Sequence, residues 1–180
     1  MEEERYPSLP WQGWKIVKKL GRGGYGSVYQ AQRNSAGVME DAAIKVISFP
    51  KDKEDIEADF TDGYDIVSVR NKYKDMLHRY VDEYQIMLAF KGQTNIVSCD
   101  DFATKPHEDG IGWDVFIRME LLTPLTMLIK QYAGSIPEEK VIKVGMDICS
   151  ALILCESKHI VHRDIKPENI MVSEFGDYKL

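Results

Sequence analysis

His162-Arg163-Asp164-Ile165-Lys166-Pro167-Glu168-Asn169 packs an acid, a cation and an amide into one short stretch, and the fold reads outward from it. Asp164 can accept a proton from a hydroxyl, Lys166 can neutralise an oxyanion, and Asn169 offers a side-chain oxygen hard enough to ligate Mg2+. A phosphate is the substrate such a trio suits. Each of these residues alone is also at home in a polar turn after a helix, whereas few structural roles need the ordered set.

Composition sets the frame. With 180 residues, 44% hydrophobic and 29% charged, the chain can bury the core of a soluble domain, which sets disorder aside. A formal charge of −6 argues against a nucleic-acid or anionic membrane surface, either of which wants clustered Lys and Arg. Cys99, Cys149 and Cys155 form no C-x-x-C pair and no metal-ligand spacing, so they read as core thiols of a reducing compartment. The Met-Glu-Glu-Glu start lacks the basic and apolar runs of a secretory signal. The greasiest window, 141–161, contains Lys143, Asp147, Glu156, Lys158 and His159, which excludes a membrane span. The expected location is cytoplasmic.

Residues 1–10 carry charge and two prolines and read as a loose arm. Trp14 to Leu20 reads as a strand running into Gly21-Arg22-Gly23-Gly24-Tyr25-Gly26-Ser27-Val28, and Val28-Tyr29 opens a second strand. Glycines at such a turn let backbone N–H groups approach phosphate oxygens. The same string could open a helix in a dinucleotide fold or form a flexible turn; strand on both sides favours a hairpin. Ala42 to Ile47 is an apolar strand interrupted by Lys45, which must find an anion or water. Lys51 to Asp65 is rich in Asp, Glu and Lys and reads as a solvated insertion. From Tyr73, apolar positions at Leu77, Tyr80, Tyr84 and Met87 predict a long amphipathic helix extended at its N-terminal end. Asn95 to Asp101 and Trp113 to Glu120 read as two strands, joined by a turn in which His107 is a surface residue. Pro124 to Tyr132 reads as a short helix. Pro137 opens a core helix running to Ser157, with a stripe of Val141, Val144, Ile148, Ala151, Leu152 and Cys155. Ile170 to Val172 and Tyr178 to Leu180 read as paired strands around a turn at Ser173 to Asp177.

The octapeptide resembles the catalytic loop of eukaryotic-type (Hanks-type) protein kinases, and Lys166, two places after Asp164, is similar to the serine/threonine branch. The resemblance covers nearly the whole chain. It implies an α+β protein-kinase-like fold: an arm at 1–10, an N-terminal β-rich lobe with a long helix at 11–121, including the insertion, and a hinge and partial helical lobe at 122–180. It implies ATP and Mg2+ as cofactors and a protein substrate. Asp164 becomes the base or hydroxyl-orienting group, Lys166 steadies the transferring phosphoryl, and Asn169 ligates the metal. His162 braces the backbone, and Arg163 would pair with a phosphorylated activation loop. Lys45 holds the inner phosphates and pairs with Glu83, which the junction Glu83-Tyr84-Gln85-Ile86-Met87, Gly92, Asn95-Ile96-Val97 singles out over Asp82. The 83 − 45 = 38 intervening steps exceed the family's usual spacing. Leu20, Gly21, Gly23, Gly26, Val28, Ala43, Met119, Glu120, Leu122 and Met171 line the nucleotide site, with the 120–122 backbone on the adenine edge. Thr126 stands where many relatives carry an acid.

By the same resemblance an Asp-Phe-Gly belongs just past Leu180. Glu174-Phe175-Gly176 matches it in letters only, sits in a turn, and is rejected as a metal ligand. The expectation is therefore a portion of a serine/threonine kinase, inactive by itself, whose uncovered 141–155 face drives self-association. The alternatives are a pseudokinase-like nucleotide-sensing or scaffold module acting through the insertion, and a small-molecule kinase.

Overall fold

Alternating apolar and basic side chains make Lys15–Gly23 a strand (β1) that pairs antiparallel with β2, Gly26–Ser35. The computed structural model describes residues 6–23, 26–133 and 135–180. They group into two units, Met1–Ala89 with Cys99–Glu120, and Phe90–Ser98 with Leu121–Leu180. In the first unit β3 (Val38–Phe49), β4 (Cys99–Pro106) and β5 (Trp113–Met119) complete an antiparallel sheet in the order β1-β2-β3-β5-β4.

The period of two divides β3 between two cores. Ala42, Ile44 and Val46 join Trp14, Tyr29, Ala31 and Phe116 on one face. Ile47 and Phe49 join Val115, Ile117 and Cys99 on the other, where helix α2 (Ile66–Ala89) lays Val69, Tyr73, Leu77 and Tyr84 against the sheet. Phe116 is 1% exposed, so cutting it to Ala costs about 3–5 kcal/mol. Lys45, an odd-numbered position, consequently lies on the α2 side.

Several expectations need correction. The arm is not loose from Tyr6 onward: Leu9 and Trp11 pack on the first core, and Tyr6 sets its ring edge-on to Tyr29 at 5.8 Å. Residues 1–5 lie outside the described residues. The insertion is not merely solvated. It forms helix α1 (Lys53–Thr61), capped by Asp52, whose carboxylate accepts from the Asp55 amide, and it buries Asp59 to 5% exposure. That carboxylate accepts hydrogen bonds from Lys72 and from the Tyr73 hydroxyl on α2. The Lys72 ammonium holds Asp59 below the ordinary carboxylate range against the opposing effect of burial, and burial, followed by the neighbouring acids, raises the Tyr73 phenol. His107 is a partly exposed residue with partners rather than a free surface one: its Nε2 lies 3.1 Å from Asp114 and 3.4 Å from Ser48, two residues that face each other across β3 and β5. Finally, the strand expected at Asn95 starts at Cys99. Residues 95–97 instead bond to the end of the chain, Val97 N–H to Leu180 O and Leu180 N–H to Asn95 O, because Ile96 is drawn into the second unit's core.

That core unites Leu125, Ile148, Ala151, Ile170, Tyr178 and Leu180. It is built from α3 (Leu125–Gln131), α4 (Glu138–Ser157) and a small sheet of β6 (Thr123–Pro124), β7 (Met171–Val172) and β8 (Tyr178–Lys179). Pro137 is the extended residue before α4 rather than part of its first turn. The stripe expected on α4 is buried at Ile148, Ala151 and Cys155 and open at Val141, 53% exposed, in keeping with the expectation of a partly uncovered 141–155 face; Ile142, Met146 and Ile153 are exposed too. No helix among the described residues is long and apolar enough to cross a membrane.

Candidate active site

Two clusters of charged side chains are built, one in each unit. In the first unit the register sets Lys45 opposite Val28 on β2 and Ile117 on β5, and Ala43 opposite Met119. Lys45, Met76, Arg79, Tyr80 and Glu83 line a cavity of about 350 Å³. Asp82 is not among its walls, as the roughly 100° turn per helical residue requires. The expected ion pair is not closed: Lys45 and Glu83 share the cavity, but among the described residues no ion pair joins them. Arg79, one helical turn before Glu83, adds a second cation that sequence reasoning missed. Its only signal was that spacing.

Of the glycines, Gly26 is the one the backbone demands. Its φ is +124°, and a Cβ there would stand 2.2 Å from the Val46 carbonyl oxygen on β3. Gly21 and Gly23 meet nothing within 4 Å, so there the missing side chains leave main chain open to an approaching group. Gly24 and Tyr25 lie outside the described residues. Leu20, 44% exposed, is on β1, and Met119 and Glu120 are half-buried at the end of the first unit.

In the second unit, α4 ends at Ser157, and the chain passes through positive φ at His159 (57°) and Arg163 (65°) into a 3-10 turn, Pro167–Asn169. This backbone knits the octapeptide together. The Asn169 Nδ2 donates to the Asp164 main-chain oxygen and to its Oδ2, both at 2.8 Å, and the Lys166 ammonium stands 2.9 Å from the same Oδ2. Lys166 first, and Asn169 next, hold the Asp164 carboxyl below the usual range. The loop is exposed, Asp164 by 59% and Lys166 by 47% of their side chains, so these contacts organise more than they stabilise. His162 does not brace the backbone through Nδ1, which is buried without a hydrogen-bond partner among the described residues. Leu122 is half-buried at the start of this unit, and Met171 pairs with Pro124 and Lys179. Glu174-Phe175-Gly176 occupies the β7–β8 turn, where Ser173 N–H bonds to Asp177 O and Phe175 is 83% exposed.

A residue that went unnoticed as an anchor is Asp147 of α4. It accepts from the Tyr178 amide at 2.9 Å and pairs with Lys143 at 2.7 Å, fixing the hairpin that follows the octapeptide.

As for bound groups, no three His, Cys, Asp or Glu side chains gather into a metal-ligating cluster among the described residues. One amide oxygen does fit a hard cation: Asn169 spends its nitrogen on Asp164, which leaves Oδ1 as its uncommitted atom. Open main chain at Gly21 and Gly23, in the same sheet as Lys45, with Gly21 paired to Val28 and Val28 to Lys45, fits a polyphosphate.

Comparison with known proteins gives this geometry its setting. The protein kinase domain matches residues 14–180. The chain belongs to that family. The α+β fold, with its five-stranded antiparallel sheet followed by helices, is the kinase architecture, incomplete over this length. The kinase chain is 26% identical over 180 residues to the putative CBL-interacting protein kinase 13 of Oryza sativa subsp. japonica, covering 99% of this chain and 30% of that protein. It is 27% identical over 170 residues to the probable serine/threonine-protein kinase PknB of Lactococcus lactis, covering 93% of this chain and 22% of that protein. Over 69 residues, 37% of this chain and 16% of its counterpart, it is 45% identical to the human dual specificity mitogen-activated protein kinase kinase 7. The chain thus spans less than a third of the first two relatives' length.

Proposed function

We propose that this chain supplies the nucleotide lobe and catalytic loop of a serine/threonine protein kinase, which moves the γ-phosphoryl of ATP to a protein hydroxyl. The observation that carries it is the Asp164–Lys166–Asn169 network, in which a carboxylate is pinned on one oxygen by an amide and an ammonium. Its other oxygen is left to receive a substrate hydroxyl. An acid held below its usual range is a weak base, so Asp164 orients the hydroxyl and takes its proton only as the bond to phosphorus forms.

Lys166 offsets charge on the phosphoryl oxygens, and Lys45, which shares its cavity with Glu83, holds the inner phosphates. Asn169 would hold Mg2+, which when bound neutralises phosphate charge. Ala43, Val28 and Leu20 with Met119 and Met171 would enclose the adenine, and the main chain of Glu120 to Leu122 would bond its edge.

A second reading concerns the acceptor. Similarity to a dual specificity kinase over 69 residues supports acceptance of tyrosine as well as serine and threonine. Phosphoamino-acid analysis separates the two. The main test is phosphotransfer by a form extended past Leu180, with Asp164→Asn beside it. The expected loss is at least ~100-fold; activity unchanged by the substitution would falsify the mechanism.

A further inference from the structure

We propose that the α1–α2 junction is a docking surface for a basic, amphipathic segment of a partner protein. Phe60, Tyr64, Ile66 and Val67 are 43%, 53%, 39% and 60% exposed. Single exposed apolar residues are ordinary, but four large ones exposed within eight positions, all at the α1–α2 junction, are more than a surface without a partner usually shows. Charge surrounds them. Residues 51–65 hold seven acids and two lysines, a net −5 in a chain whose total is −6.

The patch is presented by a built structure. Asp55 accepts from the Lys51 amide, Asp65 from the Ser68 amide, and the buried Asp59 clasps α1 to Lys72 and Tyr73 of α2. Asp59 is neutralised by Lys72, while the exposed carboxylates of Glu54, Glu57 and Asp62 make no hydrogen bond or ion pair among the described residues. They are positioned to receive Lys or Arg side chains flanking an apolar core. The sign of the charge turns away anionic lipid and nucleic acid, and a second copy of the chain brings the same negative total. In such an interface the apolar centre supplies affinity, and the acidic rim supplies encounter rate and choice of partner. The inference does not depend on the nucleotide chemistry.

The test is fluorescence anisotropy of the chain with a labelled amphipathic lysine/leucine peptide, beside a lysine/serine peptide of equal charge and a glutamate/leucine peptide. Only the first binds, and more weakly as salt is raised. Phe60→Ser with Val67→Ser weakens it by roughly tenfold or more, as does Glu57→Lys with Asp62→Lys. All four positions are exposed, and circular dichroism checks that the variants fold. Equal binding of the lysine/serine peptide, or unchanged affinity in both variants, overturns the proposal. So does a chain that self-associates in sedimentation and is dispersed by the Phe60 and Val67 changes, because the patch then belongs to a second copy.

Discussion

The two charged clusters differ in how far each is assembled. Asp164, Lys166 and Asn169 already touch one another at 2.8 to 2.9 Å, whereas Lys45 and Glu83 line one cavity without pairing. Sequence separation explains the contrast. The loop trio lies within six positions and is ordered by its own 3-10 turn. Lys45 and Glu83 sit on a strand and a helix 38 positions apart, so their distance depends on packing and on whatever occupies the space between. Local hydrogen bonds finish the one site; packing between a strand and a helix sets the other.

The widest gap between the clusters should appear on substitution of the glycine turn. Gly26→Ala forces a Cβ against the Val46 carbonyl at a φ of +124° and should cost about 2–4 kcal/mol in urea denaturation. Gly21→Ala, with open space around it, should stay within about 0.5 kcal/mol. Equal effects would mean that the turn does not press on β3.

A smaller effect probes the open pair. Glu83→Gln should leave the unliganded chain within about 0.5 kcal/mol of the parent, because no ion pair is lost. The same variant should weaken ATP–Mg2+ binding roughly tenfold by calorimetry. Destabilisation of the free chain would show the pair closed in solution and erase the contrast.

The smallest effect belongs to the loop. Lys166 and Asn169 favour the ionised form of Asp164 in the folded state. Their contribution is present above the ordinary carboxylate pKa and is lost as pH falls through the lowered one. Carboxyl NMR should find the Asp164 midpoint below that of an exposed aspartate, and Asn169→Ala or Lys166→Met should move it upward. A midpoint insensitive to both would break the network.

Much of this was legible in the sequence because each signal was local. Alternation revealed the strands around Lys45, and helical spacing placed Glu83 on α2. The octapeptide carried its chemistry in its order. What escaped had no local signature. Asp59 sits in an acidic run like its neighbours, and only the fold brings it beneath Lys72 and Tyr73, 13 and 14 positions later. Helix α4 is apolar on more than one face, so an uncovered 141–155 face could be expected but periodicity could not tell which of its positions go in, Ile148, and which stay out, Val141. Neither could alternation reveal that Ile96 leaves the first sheet for the second core.

Helix α2 has a mechanical consequence. At 24 residues it is a stiff shaft about 36 Å long. It is gripped by the α1 carboxylate at Tyr73 and propped by the stack of Tyr84 on Phe102 at 4.6 Å. Glu83 lies about 15 Å along the shaft from the grip. The grip at Tyr73 and the prop at Tyr84 together fix the rotation of the rod, and with it the side of α2 on which Glu83 enters the cavity it shares with Lys45.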